Sequence, residues 1–359
     1  MNKALAQCAK ATDSTEKKQC WQFEVEKFLG RGDIAGSLTL IASFFDKDPS
    51  LSETCHGLTH TIGKHAFALF AKGESFALNE KTTYCSYGFF HGFMEALIQH
   101  GSNISVAQQF CDRIGEKLAK TSPDARYACF HGIGHGWTNV HDPRLYGNER
   151  AMVGPALALC QRVARQKEEL LRCATGVFDS ISISYYNKQY GLTMKRGDPL
   201  WLCQEQEEQF KEACYRDMMP AILWLGDHDL TKAAPYVERF VEKGYVGVAI
   251  QTLASDSMRY VMDRQEVGYW EYLLFCRSLP QSLYPSCIKG LTTGVMEFGI
   301  PQRAYVLGLA ICKSVELKKN ERDTCFSEVL RYVANRYPQE ISRSICKKIE
   351  DAYQQYCKR

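Results

Sequence analysis

"CSYGFFHGFMEAL" (Cys85–Leu97) and "CIKGLTTGVMEFG" (Cys287–Gly299) agree in the cysteine, both glycines, the Met-Glu pair and every spacing between them. Such agreement across a long separation marks an internal repeat. Aligning the chain on the glycine after the cysteine gives Gly57, Gly88, Gly132, Gly176, Gly247 and Gly290, with Asp217 and Glu328 in its place in two units. Successive spacings are 31, 44, 44, 41, 30, 43 and 38 residues. A period near 40 suits a unit of two helices. A glycine at the start of the second helix permits close backbone approach to a neighbour.

The 16 cysteines support the same unit. Seven couples stand 11 to 18 residues apart: Cys8/Cys20, Cys111/Cys129, Cys160/Cys173, Cys203/Cys214, Cys276/Cys287, Cys312/Cys325 and Cys346/Cys357. Polar segments such as "CQEQEEQFKEAC" separate the partners, and amphipathic segments flank them. Each couple therefore predicts a disulfide stapling a helical hairpin across its turn. Cys55 and Cys85 have no partner at that spacing. Both precede a Gly/His phrase, and they are expected to pair with each other across units. The expected fold is all-α: a single α-solenoid over residues 1–359, built from about eight disulfide-stapled helical hairpins.

Composition narrows the function. The 359 residues are 45% hydrophobic and 24% charged, with net charge +3, ordinary for a globular chain and too balanced for a nucleic-acid partner. No segment nears the roughly 18–20 apolar residues of a membrane span. Disulfides at this density predict an oxidising, extracytoplasmic location: periplasm, cell surface or secreted. "MNKALAQCAKATDSTEKKQC" lacks the apolar core of a signal peptide, so a leader or anchor is expected to have been removed. There is no C-x-x-C pair, P-loop or G-x-S-x-G elbow. "GRGD" at Gly30–Asp33 reads as a loop between units, and Asn103–Ile104–Ser105 is a glycosylation sequon.

Three residues after the aligned glycine stand His60, His91, His135 and Asp179, then Thr293 in a later unit. One residue before it stand His56 and His131. His56/His60, His91/Glu95 and His131/His135 are i,i+4 pairs, each on one helix face. Imidazole with carboxylate suits a transition metal, here copper, zinc or iron. His60, His91 and His135 are the expected primary ligands, with His56, His131, Glu95 and Asp179 as additional or supporting ones. The H-E-x-x-H of metalloproteases is absent, which leaves Glu95 as the candidate base. Residues 37–190 form the His-rich half, and 191–359 the scaffold or partner half.

The phrases "CHGLTH", "GFFHGFMEAL" and "CFHGIGHGW" resemble those of an uncharacterised group of cysteine-rich bacterial and archaeal proteins with repeated C-x-x-G-x-x-H-G phrases. The resemblance covers roughly residues 55–180 and implies a kind of protein, not a reaction. Two uses stay open: a metal-dependent enzyme activating water or dioxygen, or a non-catalytic solenoid presenting its concave face to a peptide or protein.

Overall fold

A computed structural model describes residues 2–101, 104–138, 142–262 and 266–357. Asn103 of the sequon lies outside them. The described residues form helices and turns with no strand. All eight expected disulfides are present, and no cysteine is free. Cys55 and Cys85 do pair across units, with Cα atoms 5.4 Å apart, inside the reach of a disulfide.

The second helices of the units make the inner layer. They are α1 (Cys55–Ala71), α2 (Gly88–Gln99), α3 (Ala125–Thr138), α4 (Lys167–Asn187), α5 (Glu208–Asp217), α6 (Met219–Leu225), α7 (Val246–Met258), α8 (Tyr284–Phe298) and α9 (Lys319–Arg336). Each packs on the next inner helix, and the first helices of the hairpins cover them from outside. Pro220 in the first turn of α6 accounts for the break between α5 and α6, because proline cannot continue the hydrogen-bond ladder. Asp33 of the GRGD segment caps the next helix by accepting from the Gly36 N–H, which makes that segment an inter-helix turn.

Glycine sets the inner spacing. A Cβ on Gly92 would overlap the His60 carbonyl, one on Gly134 the Cys173 carbonyl, and one on Gly176 the His131 carbonyl. Side chains there would force the helices apart, so α1 through α4 lie backbone against backbone.

Two features depart from a uniform row of hairpins. The unit ending in α2 has no full first helix, only a connection containing the short 3-10 turn Glu80–Thr83. Between Ala71 and Gly88 there is no α-helix. The chain also returns on itself. The C-terminal ends of α7, α8 and α9 meet the N-terminal ends of α1, α2 and α3. The Ser52 hydroxyl donates to the Arg259 carbonyl, 3.3 Å, and Arg303 pairs with Asp46 at 2.7 Å. The Asp124 N–H donates to the Asn335 carbonyl, 3.2 Å, and the Gln339 N–H to the Lys120 carbonyl, 3.0 Å. In an open stack each repeat touches only its neighbours; here early and late repeats touch. A chamber of about 510 Å³ lies between the inner helices.

Candidate metal centre

Six of the seven expected ligand residues fall in two groups within α1 to α4, and His56 lies outside both. His60, Glu95 and His135 form one group, and His91, His131 and Asp179 the other; the ligand atoms of each group lie within 4.8 Å of one another. Every group takes one residue from each of three helices. The members of the His91/Glu95 pair and of the His131/His135 pair fall in different groups, and only His60 of the His56/His60 pair joins one.

The expected primary set His60, His91 and His135 also divides. The repeat alignment sets Gly132 opposite Gly88, but Gly132 packs on the Phe90 carbonyl and Gly136 on Glu95. That two-residue slip is about 3 Å of axial shift. It lifts His91 between the two histidines of α3, with ring centroids 4.5 Å from His131 and 5.4 Å from His135. His56 sits edge-on to His91 at 4.8 Å. Asp179 Oδ2 links the groups, 3.4 Å from His131 Nε2 and 4.0 Å from His135 Nε2.

The tautomers follow from hydrogen bonds. His56 Nδ1 donates to the Cys85 carbonyl at 3.0 Å, which leaves Nε2 as the basic nitrogen. The Thr175 hydroxyl donates to the Arg172 carbonyl, 2.7 Å. Its oxygen therefore accepts from His131 Nδ1 at 2.8 Å. His131 Nε2, buried and without a hydrogen-bond partner, then faces the Asp179 carboxylate. A ring nitrogen facing a carboxylate is an arrangement that suits a cation between them. Histidine held by its far nitrogen is the usual outer arrangement of a metal ligand. Buried His91 Nδ1 also lacks a partner. The Cys85 carbonyl reaches His56 from an unusual backbone: Cys85, Ser86 and Tyr87 all have φ near +60°. Left-handed conformation costs non-glycine residues roughly 1–2 kcal/mol each. The Cys55–Cys85 disulfide and the His56 bond hold this turn in place.

Charge favours neutral imidazole and ionised carboxylate. Burial, then the charge of Arg259, lowers His56 to about 3. Burial, then the neighbouring His131 and His56, puts His91 well below its ordinary range. Burial lowers His135 to about 4, although Asp179 opposes it. Burial pushes Glu95 up, but a hydrogen bond from His60 and the charges of His60, His135 and Lys64 bring it to about 2. Glu95 lies 3.0 Å from His60 Nε2 and 3.2 Å from Lys64 Nζ, and accepts from Gln99. So acidic a carboxyl suits an anionic ligand and makes a weak general base at neutral pH.

The sequence reading passed over Thr175 and Lys64. Thr175 was marked by its position, one residue before Gly176, where His56 and His131 precede their own glycines. No signal marked Lys64. In the later unit Thr293 instead donates to Glu328 at 2.7 Å, so histidine is replaced there by an internal hydrogen bond. No described helix is long and apolar enough to cross a membrane. Comparison with protein-family models, with curated proteins and with solved structures finds no match.

Proposed function

We propose that this chain is an extracytoplasmic, two-ion transition-metal enzyme built on a closed stack of helical hairpins. The observation that carries the reading is His131, held through Nδ1 by Thr175 with its far nitrogen Nε2 facing Asp179 at 3.4 Å. Each ligand group offers two histidines and one carboxylate, a donor set that serves both catalytic zinc and non-haem iron. Three protein ligands leave coordination positions free, and the His91/His131/Asp179 group borders the chamber. Water would be activated there on zinc, or dioxygen on iron or copper. Eight disulfides support an oxidising compartment. The chamber wall is rich in charged side chains from both halves, which favours a small polar substrate over a peptide on an open concave face.

The test is elemental analysis of untagged protein after reconstitution with copper, zinc and iron. We expect two equivalents of one metal in the wild type. His91→Ala/Asp179→Ala and His60→Ala/Glu95→Gln should each retain one, and the combined variant none. No stoichiometric metal in the folded wild type would sink the reading.

A further inference from the structure

The chamber wall carries both charges, with six acidic residues (Asp124, Glu168, Asp179, Asp217, Asp256 and Glu297), yet not every arginine there is paired. Five arginines line the chamber: Arg172, Arg216, Arg259, Arg331 and Arg336. Arg331 pairs with Glu328, and Arg336 with Glu297 and Asp124. Among the described residues, Arg172, Arg216 and Arg259 have no ion pair. Buried Nε atoms of Arg172 and Arg259 have no hydrogen-bond partner, nor has buried Asp217 Oδ2. A buried, unpaired guanidinium is costly, and several such groups converging on one cavity are the usual setting for an anionic ligand.

Arg172 and Asp217 come from adjacent inner helices, α4 and α5, that pack together. Burial, and then the like charges of Arg336 and Arg216 against the partial relief of Asp124, hold the Arg172 guanidinium below its ordinary range. Burial, followed by the nearby Asp179 carboxylate, raises the Asp217 carboxyl well above the usual range. A carboxyl kept protonated is a hydrogen-bond donor. Arg172, Arg216 and Asp217 thus line one chamber, and each can offer donors to an anion. Arg172 lies seven residues before Asp179 on α4, hence on the same face about 10 Å along the axis.

We propose that Arg172, Arg216 and Asp217 bind the oxyanion of a small organic molecule, a carboxylate or a phosphate monoester. The rest of that molecule extends along the α4 face toward His131 and Asp179. A volume of about 510 Å³ lies within the range of small-molecule sites, about 300–1,000 Å³. Gln251, Thr252 and Ser255 of α7 line the same chamber and supply neutral hydrogen-bonding groups for its body. In this arrangement the arginines grip a remote group, and the reacting bond falls beside the metal groups. The oxyanion site itself rests only on the arginines and Asp217. The placing of the reacting bond rests on the metal reading above.

The experiment is isothermal titration calorimetry on the full chain, as purified and after chelator treatment, with inorganic phosphate and with succinate as probes. At low salt we expect one equivalent of at least one probe to bind both forms. Phosphate alone would mark a phosphate monoester as the ligand class, and succinate alone a carboxylate. Arg172→Met and Arg216→Met should each weaken binding by at least about tenfold. Arg172→Lys should weaken it less, because it keeps the charge and loses the fork. Asp217→Asn keeps a donor and should bind within a few-fold of wild type. Arg144→Met, at a side chain 88% exposed and paired with Asp142, should bind as wild type. Circular dichroism checks the fold of each variant, and Arg172→Lys stands in should Arg172→Met misfold. No binding of either probe below about 10 mM, or undiminished binding by folded Arg172→Met and Arg216→Met, would overturn the proposal. Metal content measured on the same samples separates that failure from a failure of the metal reading.

Discussion

The Thr175 hydroxyl stands 2.8 Å from His131 Nδ1 and gives its own proton to the Arg172 carbonyl. This one side chain fixes which nitrogen of His131 is basic. Thr175→Val removes the acceptor while keeping the shape. We expect metal affinity to fall by about 10–100-fold, as for other outer partners of ligand histidines. Competition titration against a chromophoric chelator reads the change, and unchanged affinity would show that Thr175 does not set the tautomer.

Gly92 and Gly154 make opposite predictions for the same substitution. A Cβ on Gly92 would overlap the His60 carbonyl, whereas Gly154 faces open space in the Glu149–Val163 helix. Gly92→Ala should destabilise by roughly 1–3 kcal/mol through overpacking and lower metal occupancy by parting α1 from α2. Gly154→Ala should stabilise by up to about 1 kcal/mol through helix propensity. Thermal melts with metal analysis decide both.

Cys55–Cys85 should matter to metal and Cys346–Cys357 should not. The first bridge joins the N-terminal ends of two ligand-bearing helices, and the second lies at the chain end. Replacing Cys55 and Cys85 by serine should cost roughly 3–4 kcal/mol on loop-closure arguments and reduce metal occupancy. Serines at Cys346 and Cys357 should cost stability alone. Equal occupancy in both double variants would remove the link between bridge and site.

Asp256 gives a pH signature in stability. Burial, against the attraction of Arg259, raises this carboxyl to about 7. Its unfolded reference is 3.8. Between these values the folded state holds a proton that the unfolded state releases, so stability falls as pH rises from about 4 to 7. The full effect is on the order of 4 kcal/mol. Asn mimics the protonated acid, so Asp256→Asn should match wild type near pH 4 and exceed it above pH 7. Denaturant midpoints across that range test it, and a pH-independent difference would refute it.

Metal binding should survive mild acid. Burial holds the ligand His91 well below its ordinary range and His135 at about 4, so neither should take up a proton near pH 5.5, where an ordinary histidine would. Equilibrium dialysis should find similar occupancy at pH 7.5 and 5.5; a loss centred near pH 6.5 would count against neutral, buried ligands.

Local features were legible in sequence where one residue type carries one constraint. Cysteine couples across polar turns marked the hairpins, because a disulfide needs its partners near both ends of one turn. Histidine beside glycine marked the inner helices, because only glycine admits the His60 and His131 carbonyls of the neighbouring helix. The grouping of ligands was not legible. It depends on a two-residue slip between α2 and α3, where the Phe90 carbonyl and Met94 side chain lie against Gly132. The return of α9 onto Asp124 was equally hidden, since Arg336 reads as an ordinary surface charge until Tyr87, Tyr332 and Glu297 surround it. Residues 191–359 are therefore more than scaffold: Asp217, Asp256 and Arg259 line the chamber.

Open repeat proteins lengthen or shorten by whole units with little harm to the rest. The contacts of Asp124 with Asn335 and of Lys120 with Gln339 remove that freedom. One inserted hairpin would carry Asn335 past Asp124 and open the chamber wall. Homologous chains should accordingly share one unit count between the α3 and α9 positions, with length variation confined to the turns and the two ends.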